Sequence, residues 1–216
     1  MRTSFFKYAI LFIYFYFTYL LLLITIQYIP MRFDVAFLRI KYEEILLLHY
    51  KIAFFVHVYT SIFLVLLGWT QFLENIRRKQ KDIHQLIGKI YIFLIVFLSG
   101  PSGLVMSYYA NGGVIAQTSF VILSVLWMYF TYRSYAFIRK GDFINHQKFA
   151  IRSFALTLSA ISLRLFKYII VFLFHPPPMD VYRIVSWLGW GVNLIIAEII
   201  IFKLFIKSTK NGIKTK

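Results

Sequence analysis

Long apolar runs constrain this chain more than any other feature of its sequence. A bilayer core takes about 20 apolar residues per helix, and runs of that length occur six times. They predict six membrane-spanning helices, near residues 7–29, 52–73, 84–110, 114–137, 147–174 and 184–206. The composition supports this, because 60% of the residues are apolar and only 15% are charged. The sequence therefore predicts an all-α polytopic membrane protein that forms a single membrane domain over residues 1–216.

The basic residues predict which side of the membrane each loop faces. Lys and Arg in short loops are retained on the cytoplasmic side. Most of the 24 Lys and Arg residues lie at the two chain ends and near the loops after the second and fourth spans, Arg133 among them, whereas Lys41 is counted with the outer loop after the first span. Both termini are therefore expected in the cytoplasm, and the membrane is expected to be the bacterial inner membrane. The cations lie between apolar runs and form no groove-like stripe, so no nucleic-acid partner is expected.

Small and polar residues at three- and four-residue spacing mark one face of the second to fifth spans. Such faces let membrane helices approach closely and form hydrogen bonds across the interface. These four spans are predicted to form a central bundle, with the first span as a lipid-facing flank. The stripes are His57, Ser61, Leu64, Gly68 and Gln71; His84, Gly88, Tyr91, Ile95, Ser99 and Ser102; Gln117, Phe120, Ser124, Trp127, Thr131 and Ser134; and His146, Ala150, Ser153, Thr157, Ala160 and Arg164.

Two segments are expected to depart from straight spans. The run SGPSG, residues 99–103, predicts a kink in the third span, because proline removes a helix hydrogen bond. The outer loop, residues 30–51, is predicted to contain a partly helical piece that lies on the membrane interface. The spaced apolar residues behind this prediction are Phe33, Phe37, Ile40 and Leu47.

Two spans open on similar histidine motifs. Asp82 and Gln85 resemble a capping box, so Asp82 is expected to be the N-cap and His84 to lie in the first helical turn. His146 also precedes a glutamine and also opens a span after a basic loop. A helix N-terminus disfavours a protonated imidazole. Both rings are therefore expected to be neutral and able to bind a metal.

A b-type haem is the cofactor that these histidines suggest. In this hypothesis the haem iron lies between His84 and His146, with Lys89 and Arg152 near the propionates. The alternative is that each histidine only bonds to a headgroup or a loop carbonyl at the interface. His57, expected in the opposite leaflet, is a weaker candidate. No metal other than haem iron is predicted, and the absence of cysteine excludes covalent c-type haem and thiolate sites.

Arg164 and Glu198 are ionisable residues inside predicted spans, where charges are costly and often functional. Counting the rise along each helix places the two residues at similar depths. An ion pair between the fifth and sixth spans is predicted, either as a structural contact or as a site for ligand binding or proton handling. Asn193, Tyr91 and Arg152 are the other candidates for contact with a ligand, and Asn193 is also expected to form a hydrogen bond across the bundle.

The chain resembles the bacterial membrane family called domain of unknown function 2306 over roughly residues 50 to 200. The residues that carry the resemblance are His57, GWTQF (68–72), HQLIGKIY (84–91), SGPSG (99–103), HQKFAIRSFAL (146–156), Arg164, WLGW (187–190), Asn193 and Glu198. This resemblance implies a multi-pass membrane protein and no particular activity. The layout is also similar, more loosely, to six-helix ascorbate-reducible b-type cytochromes, whose four central helices bind two haems through histidines. The fourth span here has no histidine, which implies one haem at most.

Three classes of function follow from these observations. The first is a redox protein with one haem b, the second a small transporter or proton-handling protein built around Arg164 and Glu198, and the third a non-catalytic accessory subunit. No nucleophile and base pair, phosphate loop or HExxH motif is present. An enzyme is therefore not favoured, and no catalytic residue is predicted. The expected partners are the lipid bilayer, a small-molecule ligand and a second copy of the chain.

Overall fold

The computed structural model describes residues 2–212, with side chains described for residues 8–205, and is helical along nearly all of that length. Its α-helices are α1 (Arg2–Ile26), α2 (Leu48–Thr70), α3 (Glu74–Lys79), α4 (Lys81–Phe93), α5 (Gly100–Tyr108), α6 (Gly113–Arg139), α7 (Phe143–Thr157), α8 (Ser159–Phe174) and α9 (Pro178–Gly212). Contacts divide the chain into two compact units, the first ending at Ala110 and the second beginning at Asn111. The prediction of an all-α polytopic membrane protein is confirmed.

Five helical segments of the described chain are long and apolar enough to cross a bilayer. They are Tyr8–Ile26, Leu48–Thr70, Lys81–Tyr108, Gly113–Arg139 and Pro178–Phe205. The helices α7 and α8 pass the same test as a pair, bent by 43° at a break, which makes six spans when the pair counts as one. These segments match the six predicted runs, with ends shifted by a few residues. The cytoplasmic placement of the termini and the grouping of spans two to five stay predictions.

The fifth span is broken at Leu158, a feature that the sequence did not predict. The hydroxyl of Thr157, the last residue of α7, donates to the carbonyl of Ser153 at 3.1 Å and accepts the indole N–H of Trp127 at 3.0 Å. Hydroxyl groups that bond to the preceding turn of their own helix often bend it. Neither proline nor glycine occurs near the break, so the usual helix-breaking residues gave no signal.

A π-helical turn lies where the sequence predicted a kink in the third span. This turn, Leu94–Ser99, joins α4 to α5 just before Pro101. Proline lacks an N–H and crowds the carbonyl four residues earlier, which here belongs to Phe97 within the π turn. A π turn is a local widening of the helix. The span therefore adapts to the proline and continues as a single membrane-crossing segment.

The outer loop folds onto the first unit in two short 3₁₀ turns, Ala36–Ile40 and Glu44–Leu46. These turns are the partly helical piece that the spaced apolar residues predicted, and its place on the membrane interface stays a prediction. Leu38 and Ile45 are buried in the loop, and the core that receives them is mostly aromatic. The other buried residues of that core are Tyr28, Val35, Tyr50, Phe54 and Phe55. The loop is therefore part of the folded unit.

A buried lysine attaches this loop to the end of α5. Lys41 is only 4% exposed, and its ammonium donates to the Glu44 carboxylate and to the carbonyl of Tyr109, both at 2.6 Å. Burial opposes ionisation of Glu44, but the Lys41 ammonium outweighs it and holds the pKa of Glu44 below its ordinary value. A cation is rarely buried unless it is paired. The sequence analysis had counted Lys41 only as an outer-loop charge.

In the second unit α9 contacts α6, α7 and α8. The hydroxyl of Ser119 in α6 donates to the carbonyl of Ser186 at 2.8 Å and accepts the indole N–H of Trp190 at 2.9 Å. Gly189 allows α9 to cross α8 closely, since a Cβ at this position would lie 2.9 Å from the Cβ of Leu163. The sixth span, which the polar stripes had left outside the bundle, is thus the helix that joins this unit together.

Gly189→Ala is expected to destabilise the second unit, because the added methyl group would force α8 and α9 apart. Overpacking of this kind typically costs about 1 to 3 kcal/mol. Gly191→Ala is the matched control, because nothing lies within 4 Å of a Cβ at that position. Both substitutions gain the same helix propensity, so the difference in stability between the two variants isolates the clash. Melting temperatures of the two purified variants in detergent measure it, and equal values would contradict the close crossing.

Candidate functional site

In the first unit the predicted stripes of the second and third spans face each other. His57 Nδ1 lies 2.9 Å from the carbonyl oxygen of Ser99, and the hydroxyls of Thr60 and Ser99 are 2.5 Å apart. Nearer the other end of α2, a Cβ on Gly88 would lie 3.1 Å from Gln71 Oε1. Because a carbonyl only accepts, His57 Nδ1 carries a proton, and Nε2 holds the lone pair of the neutral ring.

His84 lies in the first turn of α4, as predicted, but Asp82 does not cap that helix. The N-cap is Gln80, whose carbonyl accepts the backbone N–H of His84 at 2.9 Å, and no side chain caps the helix start. The N-cap prediction for Asp82 is wrong because the helix begins one residue before it, at Lys81. The acidic side chain still lies in the first turn, where it interacts favourably with the helix dipole. Tyr91, two turns along α4, is buried.

In the second unit three hydrogen-bonded pairs link α6 to α7 as a ladder. Along α6, the residues are spaced three and four apart and lie on one face. The pairs are Ser134 with His146, Thr131 with Ser153 at 2.6 Å, and Trp127 with Thr157 at 3.0 Å. All six residues belong to the predicted stripes. The expectation that the stripes serve helix packing is therefore met by direct contacts in this unit.

The ladder sets the hydrogen-bonding state of His146. Its Nδ1 lies 3.0 Å from both the carbonyl and the hydroxyl oxygen of Ser134, and the hydroxyl donates to the His146 carbonyl at 3.2 Å. Because the Ser134 carbonyl only accepts, Nδ1 carries a proton, and in the neutral ring Nε2 holds the lone pair. This tautomer is the one that histidine uses when Nε2 binds a metal and Nδ1 bonds to a second group.

Asp142 anchors the start of the helix that carries His146. Its carboxylate accepts the backbone N–H of Asn145 at 3.0 Å and the side-chain amide of the same residue at 2.6 Å. These bonds from Asn145 hold the pKa of Asp142 below its ordinary value. An N-cap of this kind satisfies a backbone donor that would otherwise lack a partner. The side-chain cap that the sequence analysis assigned to the His84 helix is therefore found on the His146 helix instead.

The two predicted haem ligands belong to different units, His84 to the first and His146 to the second. The haem-binding pair therefore stays a prediction. The part of the chain that the structure describes contains no group of three or more His, Cys, Asp or Glu side chains placed to hold a metal ion.

The ion pair of the second unit joins Arg152 to Glu198. Arg152 Nε donates to Glu198 Oε1 at 2.5 Å, and Nη2 donates to Oε2 at 2.8 Å. Two parallel bonds of this kind form the strongest arginine–carboxylate geometry. The pair connects α7 to α9, and the arginine side chain is only 20% exposed.

The prediction that Arg164 would pair with Glu198 is wrong about the cation. Arg164 is exposed, and its Nη1 donates to the carbonyl of Ala160 at 2.6 Å. The depth of Arg164 had been counted from Arg152, whereas α7 begins at Phe143. Arg152 itself therefore lies about 13 Å into the helix. The break at Leu158 then turns α8, with Arg164, away from the axis of α7.

Asn193 bridges the helix break. Its Nδ2 donates to the carbonyl of Ala155 at 3.1 Å, and its Oδ1 accepts the hydroxyl of Ser162 at 2.8 Å. Ala155 lies before the break at Leu158 and Ser162 lies after it. The side chain of Asn193 in α9 therefore holds both halves of the fifth span, which is the cross-helix bonding that the sequence suggested for it.

Sequence analysis missed Arg133, which it had counted only as a loop cation. Its guanidinium carbon lies 4.7 Å from the ring centroid of Phe137, 5.5 Å from that of Phe149 and 5.9 Å from that of Tyr129. The guanidinium carbon of Arg152 lies 5.0 Å from the same Phe149 centroid. A signal was present, because Tyr129, Arg133 and Phe137 recur every four residues along one helix face.

The family of the chain follows from comparison with known proteins. The model of the family described as Predicted membrane protein (DUF2306) matches residues 54–201, which is more than half of the chain, so the chain belongs to this family. Family and apolar helices together indicate a multi-pass membrane protein. Searches of curated proteins and of solved structures gave no match. The looser resemblance to b-type cytochromes therefore stays a hypothesis.

A double-mutant cycle can separate the observed partner of Glu198 from the predicted one. Arg152→Gln and Glu198→Gln are each expected to lower the free energy of unfolding, because each leaves an unpaired charge at membrane depth. The double variant should lose less than the sum, with a coupling of about 0.5 to 3 kcal/mol measured by unfolding in detergent. Arg164→Gln combined with Glu198→Gln should be additive. Coupling of Glu198 to Arg164 alone would contradict the observed pair.

Proposed function

We propose that this member of the DUF2306 family is a small membrane carrier that moves an anion together with a proton. The Arg152–Glu198 ion pair carries the proposal, since it lies between two segments that meet the criteria for membrane spans. Ionisable residues at membrane depth are costly and usually mark pathways of substrates, ions or protons. A pair that only held two helices together could be replaced by apolar side chains at little cost, so a working role accounts for it better.

The geometry supports a simple exchange at Arg152. When Glu198 takes up a proton, its neutral carboxyl group no longer balances the guanidinium, and the two donors of Arg152 become available to an incoming oxyanion. When Glu198 loses the proton, it returns to Arg152 and displaces the anion. One proton and one monovalent anion thus enter and leave together, and the site keeps its net charge. Lys148 and Arg133, whose charges lie on the neighbouring turns of α7 and α6, favour entry of an anion.

The broken fifth span supports this exchange with a place where the unit can move. Broken helices in carriers lie beside their substrate sites, because freed backbone groups are bonded by neighbouring side chains there. The break at Leu158 lies about 9 Å along the helix axis from Arg152. Asn193 bonds to both sides of this break. Small rotations of α8 against α7 would therefore move groups that lie close to the ion pair.

Proton uptake into proteoliposomes tests the carrier function. Vesicles that hold the purified protein and an internal pH-sensitive dye are given an inward gradient of inorganic phosphate, nitrate or benzoate. We expect internal acidification that depends on the anion and grows as the external pH falls, because protonation of Glu198 releases Arg152. Arg152→Gln should reduce the rate by about tenfold or more, since the loss of a charge-assisted pair of hydrogen bonds costs at least 1.4 kcal/mol.

Two further variants sharpen this test. Glu198→Gln resembles the protonated acid permanently, so it should still bind the anion but lose coupled proton uptake. Arg164→Gln is the matched control, because it removes a cation from the same span without touching the ion pair, and its rate should equal that of the unmodified protein. Acidification with none of the three anions, or an unchanged rate in Arg152→Gln, would contradict the carrier and favour an accessory role.

A b-type haem protein is a second candidate, with His146 as a haem ligand. The observation that favours it is the Nδ1–H bond of His146 to the Ser134 carbonyl, which leaves Nε2 of the neutral ring as an electron-pair donor. When bound, the haem would supply one-electron redox chemistry. The residues of this chain would orient the ring of His146 and hold its tautomer.

An absorption spectrum decides this second candidate. Protein purified after expression with haem supplied should show a Soret band that is lost in His146→Ala. Ser134→Ala is a control with a different expectation, because it removes only the hydroxyl and leaves the carbonyl that bonds to Nδ1, so the band should remain. A preparation with no Soret band would end the haem hypothesis.

A further inference from the structure

The proposed exchange uses Arg152 and Glu198 but assigns no binding partner to Arg133 and the rings around it. We call Tyr129, Arg133, Phe137, Phe149 and Arg152 the aromatic cation cluster. The guanidinium carbon of Arg133 lies within 6 Å of three ring centroids of this cluster, close enough for cation–π attraction. The faces of a stacked guanidinium are occupied by rings, whereas its N–H groups point outward in the plane. Stacking therefore orients these N–H donors and leaves their hydrogen-bonding capacity to another group.

Of the two cations in the cluster, Arg133 has no carboxylate partner among the described residues. Glu198 directs both carboxylate oxygens to Arg152. Among the described side chains no carboxylate lies within ion-pair distance of Arg133. The Nε atom of Arg133 is buried and has no hydrogen-bond partner in the part of the chain that the structure describes. A buried donor on a cation is costly when it lacks an acceptor, and a bound anion would remove that cost.

The position of the cluster along α6 restricts what this anion can be. Arg133 lies about 9 Å from the last residue of α6 by the helical rise. A bilayer has its headgroups outside a core of about 30 Å, so a group one to two turns inside a helix end lies near the boundary of headgroups and acyl chains. The surrounding rings also present apolar surface. A ligand that satisfies both features combines an oxyanion with an adjoining apolar chain.

We propose that the aromatic cation cluster binds the phosphate group of an anionic amphiphile. Arg133 donates to two phosphate oxygens, the planar and bidentate contact for which guanidinium is suited, and the apolar chain lies against Phe137 and Phe149. An anionic phospholipid and a soluble phosphate share this headgroup chemistry. The inference goes beyond the carrier function, because binding is expected whether or not the protein moves an ion.

Native mass spectrometry of the purified full chain tests the site, with phosphatidylglycerol, phosphatidylcholine and inorganic phosphate titrated separately in detergent. The first phosphatidylglycerol should bind more tightly than the first phosphatidylcholine. Arg133→Gln should weaken that first binding step by about tenfold or more, as expected for the loss of charge-assisted hydrogen bonds. Arg139→Gln is the matched control, because it removes an exposed cation from the same helix without touching a ring, and it should weaken binding much less.

A second variant keeps the test decisive if Arg133→Gln fails to fold. Phe137→Leu retains the cation and removes the closest ring, so it should weaken phosphatidylglycerol binding several-fold while the protein stays monodisperse. Displacement of the lipid by inorganic phosphate would support phosphate recognition with a soluble source. Equal binding of the two lipids, or equal losses in Arg133→Gln and Arg139→Gln, would overturn the proposal.

Discussion

Polar side chains inside a bilayer have no water to bond to, and several helix contacts in the described part of this chain meet that constraint. In the second unit the stripe of α6 bonds to the stripe of α7 in three successive pairs, from Trp127 with Thr157 to Ser134 with His146. In the first unit His57 and Thr60 bond to Ser99. Each such bond contributes only about 0.6 kcal/mol on average in membranes. Together they exclude helix registers in which the same groups would lie unbonded.

An unpaired charge costs more than an unpaired polar group, and three cations of this chain are balanced to different degrees. Lys41 is balanced completely, by a carboxylate and a carbonyl, which suits a structural role. Arg152 is balanced by one carboxylate among the described residues, that of Glu198, so one proton on that carboxylate changes the state of the site. Arg133 is held by aromatic rings without a described acidic partner. The degree of balance therefore separates a structural cation from a switchable one and from one that suits an external anion.

Periodicity in the sequence predicted which side chains would face another helix, and the ladder between α6 and α7 bears this out. The partners of charges were harder to predict. Arg164 was matched to Glu198 by counting residues from Arg152 along a fifth span that was taken to be straight. The helix begins at Phe143, and the span breaks at Leu158. There the Thr157 hydroxyl bonds to the preceding turn, and neither proline nor glycine is present. Asn193, by contrast, was expected to bond across the bundle, and it does.

The sequence by itself determined the membrane location, the spans, the polar faces and the family resemblance. These properties depend on the length of apolar runs, the helical period and short motifs, all of which are local. Only the tertiary structure decided that Glu198 pairs with Arg152, that Lys41 is buried and that Arg133 meets Phe149. These contacts depend on where each helix begins, bends and crosses its neighbour. Small differences in those positions change which turn of the neighbouring helix a side chain meets.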